Sequence, residues 1–120
     1  MTRRLILEMG MGNSLYRRDY TTAACRAVND ALRHSSIALF KSLGIDSADM
    51  QVRVTIAVAE PDHVDISRVA RELPRGQPEV NVVQGGLDVI DPDDDIHHVI
   101  ATAAIEAFVP VSPDDWRRAT

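Results

Sequence analysis

Glycines and charged side chains come together near the start of the chain, where its first apolar run ends. Glu8 closes that run, Gly10 and Gly12 follow, and Asn13 and Arg18 come next. Glycines at a strand-to-helix turn let backbone N–H groups approach a ligand, and the helix N-terminus that follows favours an anion. A guanidinium fork can clamp a carboxylate, an imide or a phosphate. The stretch therefore predicts a substrate-binding turn, with a plain connection between strand and helix as the alternative.

Two familiar phosphate-binding motifs do not fit this turn. The third glycine of the dinucleotide fingerprint is absent, and no Gly-Lys-Ser/Thr follows, as a Walker loop would require. Arg17 and Arg18 are adjacent and point in different directions, so one of them at most needs to face a pocket. The alternative is a solvated pair, with Asp19 capping the next helix.

Two residues are candidates for proton transfer. Glu8 is the carboxylate at the end of the first apolar run, and His34 interrupts a long helical pattern. Histidine shuttles protons near neutral pH. Ser35 and Ser36 follow His34 directly, and adjacent residues on a helix do not face each other, so a serine–histidine dyad is not predicted. We expect Glu8 or His34 to act as acid or base, with an arginine stabilising the developing negative charge.

A second glycine pair lies at the end of a later strand. Gln84, Gly85 and Gly86 could bring backbone close to a ligand, and a bulge or tight turn explains them equally well. The acidic stretch 91–98 offers carboxylates and two imidazoles but lacks the spacing of calcium loops and of zinc helices. A solvated acidic loop is favoured over a metal site. We expect no metal and no cofactor.

Bulk composition limits the classes of protein that fit. The chain has 120 residues, enough for one domain, predicted at 1–112 with a tail at 113–120. Its formal net charge is −5 and no basic stripe appears, so nucleic acid is not expected as a partner. No apolar run approaches the length of a membrane span. The single cysteine, Cys25, fits a reducing compartment, and the cytoplasm is predicted.

Hydrophobic periodicity predicts an α/β protein, specifically an α+β two-layer sandwich. A four-stranded sheet carries two helices on one face, in the order β-α-β-α-β-β. The stretch 99–111 fits either a helix or a strand, and a strand is favoured because the sheet needs it. The expected strands are 3–9, 50–59, 79–84 and 99–111, the turn is 10–18, the second helix is 62–74, and 87–90 is a short extended piece.

The second face of this sheet is expected to be half polar and half apolar. Such a face is seldom left in water, so it predicts packing against other subunits, with a polar pocket between them. Its expected members are Glu8, Arg53, Thr55, Asn81, Thr102 and Glu106, mixed with Ile6, Ala57, Val83 and Phe108.

Three stretches carry a resemblance to a known family. They are LILEMGMGNSLYRRDYTTAACRAVNDALRHSS, VTIAVAEPDHVDISRVARELPRG and VNVVQGGL. Together they resemble a family of small uncharacterised bacterial proteins of about this length, over roughly residues 3–110. That resemblance implies no established reaction.

A more distant resemblance concerns EMGMGNSLYRRDYTTAA. It is similar to a loop-to-helix segment of the cyanuric acid hydrolase and barbiturase family, ring-opening amidohydrolases built from three α/β units. The resemblance implies a homotrimer with pockets near its axis. The turn at Gln84–Gly86 lacks the serine of that family, and Lys41 does not lie at a matching position. The scaffold and a polar central pocket are therefore what the resemblance implies, rather than serine–lysine chemistry.

The combined prediction is a homo-oligomeric enzyme, a trimer or a multiple of it, with an intersubunit pocket for a small polar, cyclic amide-like substrate. A proton-transfer isomerase or tautomerase, or a metal-free hydrolase, fits these residues. The expected ligand contacts come from Gly10, Gly12, Asn13, Arg18, Gln84, Gly85 and Gly86, with Glu8 and His34 as acid or base. The alternative is a non-catalytic protein that binds a metabolite or serves as an accessory subunit of a larger enzyme.

Overall fold

The computed structural model of the protein describes residues 2–15, 18–33, 51–73 and 77–110. The predictions for His34 and for the tail at 113–120 lie outside these residues. In chain order, the described elements are β1 (Thr2–Ser14), α1 (Tyr20–Arg33), β2 (Gln51–Val58), a 3-10 turn (Pro61–His63), α2 (Ile66–Ala70), β3 (Gln77–Gln84), β4 (Leu87–Ile90) and β5 (His97–Pro110).

The described strands form one mixed sheet of five strands, so the predicted count of four is wrong. The strand order is β1-β5-β2-β3, and β4 pairs with the beginning of β5. β5 runs antiparallel to β1, β2 and β4, whereas β2 and β3 are parallel. The additional strand is the short extended piece at 87–90. The prediction that 99–111 forms a strand rather than a helix is confirmed for the described part of that stretch.

The core lies between the sheet and α1, which is joined on the same side by α2. Four alanines of α1 are fully buried, and the helix lies mainly against β1 and β5. Alternation along β2 buries its valines and Ile56, as its sequence pattern predicts. Because alanine is short, the helix can approach the sheet closely. The buried alanines are Ala23, Ala24, Ala27 and Ala31.

Gly10 and Gly12 lie inside β1 and not in a turn, which corrects the predicted turn at 10–18. A Cβ atom on Gly12 would lie 2.3 Å from the backbone nitrogen of Ala27 and 2.5 Å from the carbonyl oxygen of Ala23. A Cβ on Gly10 would lie 2.4 Å from the nitrogen of Ala31. Both glycines are therefore required because α1 lies directly on this part of the strand.

The predicted position of Glu8 on the second sheet face is wrong. Glu8 pairs with Ile105, whose side chain is buried on the helix side of the sheet. A β-bulge between Arg4 and Ile6 shifts the register, so Arg4 and Leu7 both face the open side. The bulge breaks the simple alternation from which the face of Glu8 was predicted.

The predicted helix at 62–74 is present only as two short pieces. A 3-10 turn begins at Pro61, and α2 begins after Asp65, whose side chain accepts a hydrogen bond from the backbone N–H of Arg68 at 3.2 Å. Val69 is the fully buried residue of this segment. Val64 and Leu73, which flank α2 and are partly buried, also pack against the core.

Asp19 caps α1; the sequence left Asp19 and Thr21 both open as the cap. Its carboxylate accepts the backbone N–H of Thr22 at 2.9 Å and the hydroxyl of the same residue at 2.8 Å. The hydrogen bond from the Thr22 backbone is the main reason that the pKa of Asp19 is lowered. The capping contribution is therefore present at neutral pH and is lost as the pH falls through the lowered pKa.

We expect Asp19→Ala to lower the free energy of unfolding by about 1 kcal/mol at pH 7, because one N–H of the first turn loses its acceptor. Urea denaturation would measure the change. Asp62→Ala is the matched control, since Asp62 is exposed and makes no cap, and it should change the stability by less than about 0.5 kcal/mol. Equal losses from the two variants would contradict a capping role.

Candidate functional site

The carboxyl ends of three strands meet at one edge of the sheet. β1 and β2 both run antiparallel to β5, and β3 runs parallel to β2, so these three strands point the same way. They end at Ser14, Val58 and Gln84, and the N-terminus of α1 follows the first of them. In open α/β sheets, ligands bind preferentially at such an edge. We call the polar side chains found here the carboxyl-edge cluster: Arg18, Tyr20, Glu60, His63 and Asp88.

Tyr20 lies at the base of the cluster. Its side chain is 1% exposed, and its hydroxyl donates a hydrogen bond to a carboxylate oxygen of Asp88. Burial and this hydrogen bond raise the pKa of Tyr20 to about 12. The other oxygen of Asp88, Oδ1, is buried and has no hydrogen-bond partner within the described ranges. The phenol therefore stays protonated at physiological pH and serves as the donor that satisfies this carboxylate.

An exposed ion pair lies above the phenol. Nη2 of Arg18 is 2.7 Å from Oε2 of Glu60, and Nδ1 of His63 is 3.6 Å from the same oxygen. The Tyr20 hydroxyl and the Arg18 guanidinium lower the pKa of Glu60, and hydrogen bonding to Tyr20 and Glu60 raises the pKa of Arg18. The result is an arginine, a carboxylate and an imidazole in one solvent-accessible row.

Arg18 adopts an uncommon backbone conformation, and contacts between α1 and the segment after β2 hold these side chains in place. Arg18 has a φ of 49°, a left-handed conformation that is uncommon outside glycine and is found more often at functional sites. The hydroxyl of Thr21 accepts the backbone N–H of Asp65 at 2.9 Å. The ring of His63 also packs edge-on against that of Tyr20, with centroids 5.8 Å apart. These contacts fix the segment after β2 to the first turn of α1.

The second glycine pair positions Asp88. The backbone N–H of Gly85 donates to the carbonyl of Val58 at 2.8 Å, and Gly86 has a φ of 64°. A Cβ atom on Gly86 would lie 2.3 Å from the carbonyl oxygen of Ile100. The glycines thus let the chain cross closely over neighbouring strands into β4, which brings Asp88 beneath Tyr20. They position the cluster, and their direct contact with a ligand stays a prediction.

The structure places the predicted site residues that it describes at three separate locations. Arg18 and the Gln84–Gly86 turn lie at the carboxyl edge. Glu8 precedes the end of β1 by six residues, or about 20 Å at the rise of a strand. Its assignment as an acid or base stays a prediction, but within one chain it does not join Arg18.

Gly12 and Asn13 line a different cleft, of about 760 Å³, along the outer edge of β1. There the carbonyl of Asn13 accepts Nη1 of Arg26 at 2.7 Å, and the backbone N–H of Met11 donates to Asp30 at 2.9 Å. Side chains of α1 thereby pair with polar groups of an edge strand that would otherwise be open.

The acidic stretch at 91–98 and the single cysteine both have structural roles in the described part of the chain. The acidic stretch forms a turn in which Asp91 accepts the backbone N–H groups of Asp93 and Asp95. Across the described ranges, no three His, Cys, Asp or Glu side chains gather as metal ligands. Cys25 is buried in the core, and burial raises its thiol pKa. None of the described helices is both long and apolar enough to cross a membrane.

Sequence reasoning missed four members of the cluster: Tyr20, Glu60, His63 and Asp88. Each stands next to a turn or a helix start; Glu60 precedes Pro61 and Asp88 follows the glycine pair. Their convergence depends on β4 pairing with β5, and no local pattern encodes that pairing. One general rule could have pointed to them: the carboxyl ends of strands that run in the same direction meet at one edge of a sheet.

Comparisons with known proteins agree with this fold. Residues 4–107 match the model of a family described as conserved hypothetical protein, Lin0512_fam. A search of curated proteins found no match. A similar solved structure is that of an FtsZ-like protein of unknown function from Nostoc punctiforme. It is 30% identical, with a TM-score of 0.81, over 92% of this chain and 98% of that one. This neighbour is not a cyanuric acid hydrolase.

Proposed function

The chain belongs to the conserved hypothetical protein family Lin0512_fam, and we propose that it binds a small anionic metabolite at the carboxyl-edge cluster and transfers a proton on it. The observation that carries the proposal is Arg18, held at a positive φ beside Glu60 and above a buried phenol. A guanidinium has five N–H donors, so it can hold both a carboxylate of the protein and an anionic ligand.

The roles of the cluster follow from exposure and contact. Arg18 holds the anionic group of the ligand. His63, more than half exposed, takes a proton from one ligand atom and returns it to a neighbouring atom, so the ligand leaves as its tautomer. Glu60 faces Nδ1 of the imidazole and stabilises the positive charge that the ring gains during the transfer. Tyr20 and Asp88 do not contact the ligand. They position Arg18, Glu60 and His63, which pack against the buried phenol.

We infer a cyclic imide as the ligand class from the chemistry that an arginine fork recognises. Such rings carry an acidic N–H or C–H group flanked by carbonyls, and their anions suit an arginine fork. Within the described part of the chain, the exposed row does not include a nucleophile, which favours proton transfer over hydrolysis. The non-catalytic alternative uses the same cluster for binding without turnover.

We expect Arg18→Gln to weaken binding of barbituric acid by about tenfold or more, because a charge-assisted hydrogen bond to the anion is lost. Isothermal titration calorimetry at pH 7 would measure the change. Arg33→Gln is the matched control: Arg33 is an exposed arginine that pairs with Asp30 on α1, outside the cluster. Equal affinities for the two variants would contradict the assignment of the site.

A second measurement separates catalysis from binding. Deuterium uptake at C5 of hydantoin, followed by NMR in D2O, should be faster with the protein than without it, and His63→Gln should abolish that acceleration. Retained acceleration in the variant would exclude His63 as the base. Binding without any acceleration would favour the non-catalytic alternative.

A further inference from the structure

The face of the sheet opposite the helices carries large apolar side chains in solvent. Met9 is 68% exposed, Met11 60% and Leu87 55%, and Leu7, Val83 and Val89 are also exposed. The register places them on one side with Thr55, Ala57, Thr102 and Ala104. We call this side the open face. An apolar surface of this kind, with its large side chains on β1, β3 and β4, is typical of a surface that another protein covers.

Charges on the open face alternate across the sheet. Arg4 on β1 meets Glu106 on β5 at 3.2 Å, Glu106 pairs in register with Arg53 on β2, and Arg53 pairs with Glu79 on β3. Read from β1 to β3, the row is positive, negative, positive, negative. Opposite charges on neighbouring strands stabilise the sheet itself. The same order of charges is also complementary to itself when the row is turned around by a two-fold rotation.

We infer that the open face binds a second copy of this chain, related by a two-fold axis that runs along the strands between β5 and β2. That rotation lays β1 of one copy over β3 of the other, and β5 over β2. Arg4 then faces Glu79, and Glu106 faces Arg53, so every charge of the row meets its opposite in the second copy. A row of this kind is self-complementary, as a two-fold interface requires.

The uncharged rows of the open face fit the same arrangement. At the centre, Ala104 lies opposite Thr55 and Thr102 opposite Ala57, which are small enough for two sheets to pack closely. Toward the carboxyl edge, Leu87 of one copy covers Ile100 of the other, because β4 continues the place of β2 beside β5.

The outer strands complete the contact. Met11 lies opposite Val83, and Met9 lies opposite Asn81. Large side chains therefore border a flat centre on both sides. Shape and charge both favour a copy of the same chain over an unrelated partner.

A charge-swap experiment tests the pairing between copies. Arg53→Glu places three negative charges side by side in one chain, at positions 106, 53 and 79, and Glu106→Arg places three positive charges there, at positions 4, 106 and 53. Each variant alone should be monomeric at concentrations where the wild type is a dimer of 13.2 kDa chains. An equimolar mixture should form a heterodimer, because the carboxylate introduced at position 53 of one variant then faces the guanidinium introduced at position 106 of the other. Repulsion within each chain persists in the mixture, so recovery can come only from contacts between copies.

Native mass spectrometry and light scattering would report these masses, and circular dichroism would establish that each variant is folded. We expect each reversal to raise the dimer dissociation constant by about tenfold or more. Arg33→Glu, on α1 and away from the open face, is the matched control and should stay dimeric. In Met9→Lys, the introduced ammonium group is exposed to water in the monomer but would be buried in the dimer. This variant should therefore fold normally and fail to dimerise.

Four outcomes would overturn the inference. They are a wild type that is monomeric at about 100 µM, where a specific dimer should be saturated, a wild-type trimer, single charge variants that still dimerise, and a mixture that stays monomeric. The result is independent of ligand binding at the carboxyl edge, because no member of that cluster lies on the open face.

Discussion

Replacing Gly12 with alanine should lower the free energy of unfolding by about 3 kcal/mol, one of the largest effects expected of any substitution in the chain. The added Cβ would lie 2.3 Å from the backbone nitrogen of Ala27 and 2.5 Å from the carbonyl oxygen of Ala23. Backbone atoms cannot turn aside as a flexible side chain can, so α1 must move away from β1, and packing along the whole helix is loosened. Thermal unfolding should shift downward by about 10 °C.

Gly85→Ala provides the matched control for this effect. The nearest atom to its added Cβ is the side-chain Cβ of Ala57 at 2.8 Å, and the next is at 3.8 Å. Gly85→Ala should therefore lower the free energy of unfolding by less than Gly12→Ala does. Adding Ala27→Gly to the Gly12 variant should not restore stability, because the clash involves the backbone. A Gly12→Ala protein within about 1 kcal/mol of the wild type would contradict the close approach of α1.

Replacing Tyr20 with phenylalanine should destabilise the protein by about 2 kcal/mol at pH 7. The substitution keeps the ring but removes the donor to Asp88, whose other oxygen already lacks a partner within the described ranges. A carboxylate left buried without a donor costs more than a net hydrogen bond contributes. Urea denaturation would measure the loss.

The pH dependence of stability gives a second readout for Tyr20. Its folded pKa of about 12 lies above the ordinary tyrosine value of 10.0. The contribution of the neutral phenol is therefore fully present below pH 10 and is lost as the pH rises through 12. The wild type should lose stability across this alkaline range more steeply than Tyr20→Phe.

The destabilisation caused by Tyr20→Phe has two possible causes, the lost hydrogen bond and the buried carboxylate left without a donor. A double-mutant cycle with Asp88→Leu separates them. If the orphaned carboxylate is responsible, the double variant should be more stable than Tyr20→Phe alone, because the charge is replaced by an apolar group of similar size. A double variant whose losses simply add would show that Tyr20 and Asp88 do not act together.

Several elements could be predicted because their signals are local. Alternation along 50–59 and the helical spacing of apolar residues from 24 to 32 each indicate one element and the face that it buries. Both are confirmed, in the strand Gln51–Val58 and the helix Tyr20–Arg33. The Asp19 cap depends on a residue three positions away, so it was equally readable. Among the described side chains, the mixed character of the second sheet face was also predicted correctly, except for Glu8.

The candidate site was predicted less well because its members are distant in sequence. Arg18 and the Gln84–Gly86 turn were singled out for their residue types, and they do lie at one edge. Glu8 was placed wrongly because a bulge at Arg4/Ile6 changed which face it occupies. Tyr20 gave no signal, since a tyrosine at the start of a helix looks the same whether its hydroxyl meets solvent or a buried carboxylate.

The glycines of β1 show most clearly how local pattern and tertiary contact differ. By itself the sequence determined the period and the buried side of α1 and β2 and the candidates for the cap of α1, because each depends on residues within one or two turns. Only the tertiary structure decided that Gly10 and Gly12 serve helix packing, that β4 joins the sheet, and that Asp88 lies beneath Tyr20. Those outcomes depend on contacts between residues far apart in the chain, where the free energy comes from close packing and from satisfying buried polar groups.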